Sequence, residues 1–339
     1  MQRTSRAPSH SVRSPPMPLP DPTVFSDEAI SDETRRFNAE TLATLSALPD
    51  QWSVPPDVIR RLRAEGRGPF PLPPKCPRAE TVTIDGPHGP VPLRIIPPEN
   101  GTPTGVFLHV HGGGWTFGTA DSQDDRLDEI TRRTGAAVIS VEYRLAPEHP
   151  YPQGPDDCEA AALWLLREAT TRFGTDRLAI GGESAGAHLA VVTMVRLRDW
   201  HGLTPFCAAA LTAGCFDMRL SPSARNWGSD KLILNTRDIT KFAQGFLGDG
   251  QDRSNPDISP INADLSRLPP ALFSIGTRDP LLDDSLFMAA RWQAAGCGTE
   301  LSVTPGGCHM FQAFPLRIAH ESNAEIDGFL RAHIGAPSV

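Results

Sequence analysis

Long apolar runs are missing from this 339-residue sequence. No segment approaches 18 consecutive apolar residues, which leaves no candidate for a membrane-spanning helix. Closely spaced cysteines are missing too. The six cysteines, Cys76, Cys158, Cys207, Cys215, Cys297 and Cys308, are scattered without a C-x-x-C pair. That speaks against a zinc framework, and a disulfide scaffold would be odd in so long a chain, so buried free thiols in a reducing cytoplasm are expected. Nor is there an excess of positive charge. With 40 acidic against 32 basic residues and a net charge of -8, nothing draws the chain to nucleic acid or to an anionic membrane surface. The first twenty or so residues, MQRTSRAPSHSVRSPPMPLP, lack an apolar core segment. They are rich in Pro, Ser and Arg, so residues 1–25 read as a disordered leader and not as a secretory signal. No internal repeat is visible.

What is present is an alternation. From Asp27 to Glu65 apolar positions recur every three or four residues, the helical period, and the proline-rich PFPLPPKCP then breaks the chain. TVTIDGPHGPVPLRIIPP reads as two short strands joined by a Gly/Pro turn. After it, apolar strand-like runs (TGVFLHV, AAVISVEY, LAIGG, CAAALTAG, ALFSIG, ELSVTPG) are separated by helical stretches, the last of them ESNAEIDGFLRAHI. Near-continuous apolar strands between helices imply a mostly parallel sheet covered by helices on both faces. The segment from about Phe216 to Pro260 interrupts the rhythm. With the N-terminal helices it is expected to cap the sheet edge, which divides the chain into cap helices at 26–75, a core at 76–217 and 261–339, and a cap insertion at 218–260.

The richest local signal is LAIGGESAGAHLA. Gly182-Glu183-Ser184-Ala185-Gly186 fits G-x-S-x-G, with a strand before it and a helix after it. So tight a turn strains the serine backbone, and glycines on both flanks relieve the crowding and let the Ser184 hydroxyl project. Upstream, His111-Gly112-Gly113-Gly114-Trp115 follows another strand. Consecutive glycines leave backbone N–H groups bare, as an oxyanion site requires. His109 and His111 form an H-x-H pair, but no further ligands at metal spacing accompany them, so neither a metal nor a cofactor is expected.

A serine nucleophile needs a base. Of the histidines that follow it, His188 lies one turn into the next helix and is expected to pack there. His201 reads as a solvated loop residue, and His320 and His333 fall in the terminal helix. His309 stands in the Gly-rich loop TPGGCHMF after a predicted strand, where it can reach over the sheet edge. Asp279, at the end of the strand in SIGTRDPLLDD, is the expected partner of its imidazole. Asp283 and Asp284 compete but sit where the following helix begins and complement its dipole.

Together HGGGW at 111–115, VEYRLAPEHPYP at 141–152, GESAG at 182–186, DPLLD at 279–283 and the His309 loop resemble the hormone-sensitive-lipase esterases of the α/β-hydrolase superfamily, from about Val91 to Phe329. The resemblance implies an α/β-hydrolase fold with a helical cap. It also implies a triad of Ser184, Asp279 and His309, with oxyanion donors from the backbone of Gly113, Gly114 and Ala185. Tyr143 to Pro152 becomes a bracing loop with Arg144 and Glu148 in charge-assisted contacts, and Glu183 is expected either to touch that loop, the favoured reading, or to be solvated. Trp115 and Phe216 are expected at the substrate pocket, and Trp227, Phe242 and Phe246 are further aromatics either for acyl chains or for core packing. The expected activity is hydrolysis of short- to medium-chain carboxylic esters through an acyl-enzyme, with a small-molecule ester as the partner. An amidase or lactonase using the same triad and a non-catalytic, ligand-binding member of the family are the alternatives. By analogy alone a homodimer is a candidate assembly.

Overall fold

The computed structural model describes residues 20–335. Most of the expected disordered leader, residues 1–19, lies outside the described residues. Its end does not conform to that expectation: Pro22–Phe25 forms a 3-10 turn, capped by the Asp21 carboxylate accepting the Thr23 N–H.

Two antiparallel strands, β1 (Glu80–Gly86) and β2 (Gly89–Ile96), open the sheet, and six more follow in the alternating part of the chain. These are β3 (Val106–Val110), β4 (Ala137–Val141), β5 (Leu178–Glu183), β6 (Phe206–Thr212), β7 (Ala271–Arg278) and β8 (Thr299–Cys308). Their order across the sheet is β1-β2-β4-β3-β5-β6-β7-β8. β2 pairs with β4 antiparallel, and every pairing from β4 onward is parallel. β3 and β4 are buried at every position, as strands covered on both faces must be.

The pleat sends alternate side chains to two cores. On one side Val106, Leu108 and Val110 meet α4 (Gln153–Phe173), α5 (Ala185–His201) and α8 (Leu282–Ala294), through Leu165, Leu189 and Trp292. On the other, Phe107 and Val138 meet α3 (Asp124–Thr134) and α9 (Arg317–Ile334), through Leu127, Ile130 and Phe329.

Before the sheet lie α1 (Asp32–Ser46) and α2 (Pro56–Ala64), so the helical pattern expected over 27–65 is interrupted. A 3-10 turn at Gln51–Ser53 and the Pro55-Pro56 pair divide it, since proline is accepted at a helix start and not inside. Between β6 and β7 the chain forms α6 (Pro222–Asn226) and α7 (Thr236–Leu247). Side-chain contacts tie α7 to the N-terminal segment: the Asp238 carboxylate accepts the Trp52 Nε1–H at 2.6 Å and the Gln51 Nε2–H at 3.2 Å, Arg237 pairs with Asp50 at 2.7 Å, and the Phe242 ring packs edge-on to Trp52.

Candidate active site

Ser184 sits between β5 and α5 with φ 55° and ψ -116°, a conformation that costs a non-glycine residue of order 1–3 kcal/mol. The tertiary structure holds it there. Its N–H donates to the Thr212 carbonyl at 2.8 Å, across to the end of β6. A Cβ at Gly182 would stand 2.1 Å from the Val110 carbonyl oxygen and one at Gly186 only 1.9 Å, so the elbow packs directly on the end of β3 and leaves no space for a side chain on either flank.

His309 follows β8 directly, while Met310 next to it adopts the left-handed conformation that turns the chain back. The ring reaches in two directions. Its Nε2 lies 3.0 Å from Ser184 Oγ and its Nδ1 lies 2.9 Å from Asp279 Oδ2. With the neutral imidazole protonated at Nδ1, the hydroxyl donates to Nε2 and Nδ1–H donates to the carboxylate. The second Asp279 oxygen accepts the Leu281 N–H at 2.9 Å, which fixes the carboxylate in the turn after β7. Asp279 is 1 % exposed and His309 5 %, so water competes little for these bonds.

The rival acids have other partners. Asp283 accepts the Ser223 N–H at 2.8 Å. Asp284 accepts the N–H groups of Phe216 and Asp217, and burial pushes its carboxyl up to about 7. Both fasten the chain that follows β6 to α8, and neither bonds His309.

Gly112, Gly113 and Gly114 come off the end of β3 beside the elbow. A Cβ on Gly112 would lie 2.9 Å from the Glu183 carbonyl oxygen and 3.6 Å from Ser184 Cβ. Gly113 has φ 118° and Gly114 φ 61°, backbone that glycine alone adopts freely. Among the described residues no acceptor takes the N–H groups of Gly113, Gly114 or Ala185, and that of Ala185 belongs to the first turn of α5, where helices leave donors unpaired.

The other singled-out residues go elsewhere. His188 is buried. Its Nε2–H donates to the Ile258 carbonyl at 2.9 Å and its Nδ1 accepts Trp115 Nε1–H at 3.2 Å, while burial lowers it to about 4. His201 closes α5 and pairs with Glu159 at 2.6 Å instead of standing free in a loop. His320 is exposed on α9, and His333 bonds the Phe329 carbonyl within that helix. The H-x-H pair splits: His109 bonds Ser140 and Glu183, whereas His111 stacks on Tyr143 and is lowered to about 4 by burial. Among the described residues no three His, Cys, Asp or Glu side chains gather around a metal-sized site.

Three further expectations need correction. Trp115 does not line an open pocket; it is 3 % exposed, stacked on Phe246 and bonded to His188. Phe216, fully buried, packs edge-on to Phe273 in the core. Glu183 does not meet the Tyr143–Pro152 loop. Its carboxylate accepts His109 Nε2–H at 3.0 Å and Gln123 Nε2–H at 2.7 Å, and although burial would raise it, the His109 and Gln123 contacts hold it below the usual glutamate value. Gln123 is a member of this network that no sequence signal marked. The bracing loop does carry ion pairs, Arg144 with Asp157 and Glu148 with Arg60 of α2.

The α/β-hydrolase fold family matches residues 107–313. The carboxylic ester hydrolase LipN of Mycobacterium tuberculosis is 34% identical over 265 residues, spanning 75% of this chain and 70% of that protein. The carboxylesterase NlhH of the same organism is 34% identical over 281 residues, 81% of this chain and 83% of that protein. Among solved structures, a hyperthermophilic esterase from the archaeon Pyrobaculum calidifontis superposes with a TM-score of 0.79 at 28% identity, covering 91% of this chain and 99% of its own.

Proposed function

As a member of the α/β-hydrolase superfamily, in its hormone-sensitive-lipase-like branch of esterases, this chain offers its hydroxyl–imidazole–carboxylate relay for acyl transfer, and we propose that it is a serine carboxylesterase acting on short- to medium-chain esters. The observation that carries this reading is the unbroken run from Asp279 through His309 to Ser184, at 2.9 and 3.0 Å.

The Ser184 hydroxyl attacks the ester carbonyl as His309 Nε2 takes its proton. The carbonyl oxygen becomes an oxyanion and accepts hydrogen bonds from the N–H groups of Gly113, Gly114 and Ala185. The imidazolium, stabilised by Asp279, returns the proton to the departing alcohol and leaves an acyl-serine. Water, deprotonated by the same Nε2, then attacks the acyl carbon, and collapse frees the acid and restores the hydroxyl. No step calls for a metal or a cofactor.

Helices α1, α2, α6 and α7, from segments 26–75 and 218–260, serve in this reading as the cap. The Trp52–Asp238 bond joins the two segments, and Phe242 overhangs Gly114. All six cysteines are free thiols, five of them buried, which suits the reducing cytoplasm.

A series of p-nitrophenyl esters from acetate to octanoate tests the reading, with wild type, Ser184→Ala and His309→Ala side by side. Wild type is expected to turn over the shorter esters, and each variant to lose at least about a thousandfold in kcat. Wild-type protein without turnover, or Ser184→Ala as active as wild type, sinks it.

A further inference from the structure

Three consecutive glycines cannot hold their own conformation. They have no side chains to anchor them and the widest backbone freedom of any residue, so restraint on the 112–114 loop must come from outside it. The structure supplies that restraint from α2, some fifty residues earlier in the chain.

Arg60 Nε–H donates to the Thr116 carbonyl at 2.7 Å. Its Nη2 donates to the Ala146 carbonyl at 2.7 Å, and its two terminal nitrogens grip both Glu148 oxygens at 3.0 and 2.8 Å. Thr116 in turn is locked to the glycines: its N–H donates to the Gly113 carbonyl at 3.1 Å and its hydroxyl to the Gly114 carbonyl at 3.0 Å. Ala146 N–H closes the frame on the Trp115 carbonyl at 2.8 Å. One turn further along α2, the Arg63 guanidinium lies 4.2 Å from the Phe117 ring centroid. One planar fork thus touches the glycine-rich loop and the Tyr143–Pro152 loop together, a set of acceptors that a lysine ammonium cannot match.

We propose that Arg60 is a positioning residue of the reaction: its guanidinium clamps Thr116 and Ala146 so that the Gly113 and Gly114 N–H groups stay aimed at the developing oxyanion. The inference rests on the esterase reading above. It makes part of the transition-state stabilisation depend on a side chain that never meets the substrate.

The test uses the full-length protein, p-nitrophenyl butyrate and the variants Arg60→Lys and Arg60→Ala. Misaimed oxyanion donors weaken binding of the transition state more than of the ground state, so kcat is expected to fall about 10- to 100-fold with KM changed by less than about threefold. An aryl trifluoromethyl ketone, whose serine hemiketal carries an oxyanion, is expected to lose affinity in step with kcat. Millimolar guanidinium is expected to return part of the kcat of Arg60→Ala, which a merely structural loss would not allow. Should Arg60→Ala fail to fold, Arg60→Lys, which keeps the charge and the aliphatic stem, decides alone. Unchanged kcat in a folded variant overturns the proposal, as does a kcat loss without weaker ketone binding. Wild type without turnover would instead overturn the esterase reading, so the two failures are distinguishable.

Discussion

The ring of Phe242, from α7, lies against Gly114: a Cβ at that glycine would stand 2.4 Å from two of the ring carbons. A residue from the segment inserted between β6 and β7 therefore sets how much room the glycine-rich loop has. Gly114→Ala meets two penalties, this clash and a side chain at φ 61°, where an L-residue is disfavoured by about 1–2 kcal/mol. We expect kcat on p-nitrophenyl esters to drop at least about 100-fold, the scale of one lost oxyanion donor. Adding Phe242→Ala removes only the clash, so the double variant is expected to recover part of the loss and no more, as steady-state kinetics would reveal.

Asp279 and Asp283 are four residues apart, yet only Asp279 bonds His309. Asp279→Asn is expected to lower kcat by about 10,000-fold, because the amide no longer selects the imidazole tautomer that accepts from Ser184. Asp283→Asn is expected to stay within about threefold of wild type and to lose about 1 kcal/mol of stability through its weaker bond to Ser223. Comparable kcat losses in both variants would refute the assignment.

Gly186→Ala puts a methyl 1.9 Å from the Val110 carbonyl oxygen, a backbone atom on a central strand that cannot yield cheaply. The expected cost is about 3 kcal/mol or more, at the upper end of overpacking. Gly245→Ala, on an α7 face with open space, is the control and is expected to be neutral or slightly stabilising. Urea midpoints measure both.

His188 is held neutral by its fold: burial lowers the ring from 6.5 to about 4, and its Nδ1 is occupied as an acceptor from Trp115. The unfolded chain therefore takes up a proton that the native state refuses. Stability from this site is complete above pH 6.5 and is lost as pH falls from 6.5 toward about 4. His188→Gln does not titrate, so its stability should fall less steeply over that window, by up to about 1.4 kcal/mol per pH unit. Denaturation curves at several pH values give the two slopes, and parallel slopes would refute the account.

Much of the architecture is legible in the sequence because it rests on local rules. Uninterrupted apolar runs such as VFLHV and AVISV mark strands buried on both faces, and the helical period between them marks the covering layers. The bare backbone of Gly112–Gly114 and the crowding around Ser184 are likewise written in the choice of glycine. Which neighbours these residues meet is not local. The bond between His309 and Ser184 spans 125 positions, and it forms because β5 and β8 run parallel and end on the same edge of the sheet. Sheet order also carries His109 to Glu183 on the adjacent strand, where the sequence alone pointed Glu183 to the Tyr143–Pro152 loop.

The amino-acid sequence by itself determined the strand–helix alternation, the elbow around Ser184 and the glycine loop, since each follows from side-chain period or from steric limits on a few consecutive residues. Only the tertiary structure decided that Trp115 and Phe216 turn into the core, that Glu183 meets His109 and Gln123, and that Arg60 reaches the Thr116 carbonyl. Those outcomes depend on how distant segments pack. A side chain's reach and chemistry are local properties, but what lies within that reach is set by the whole fold.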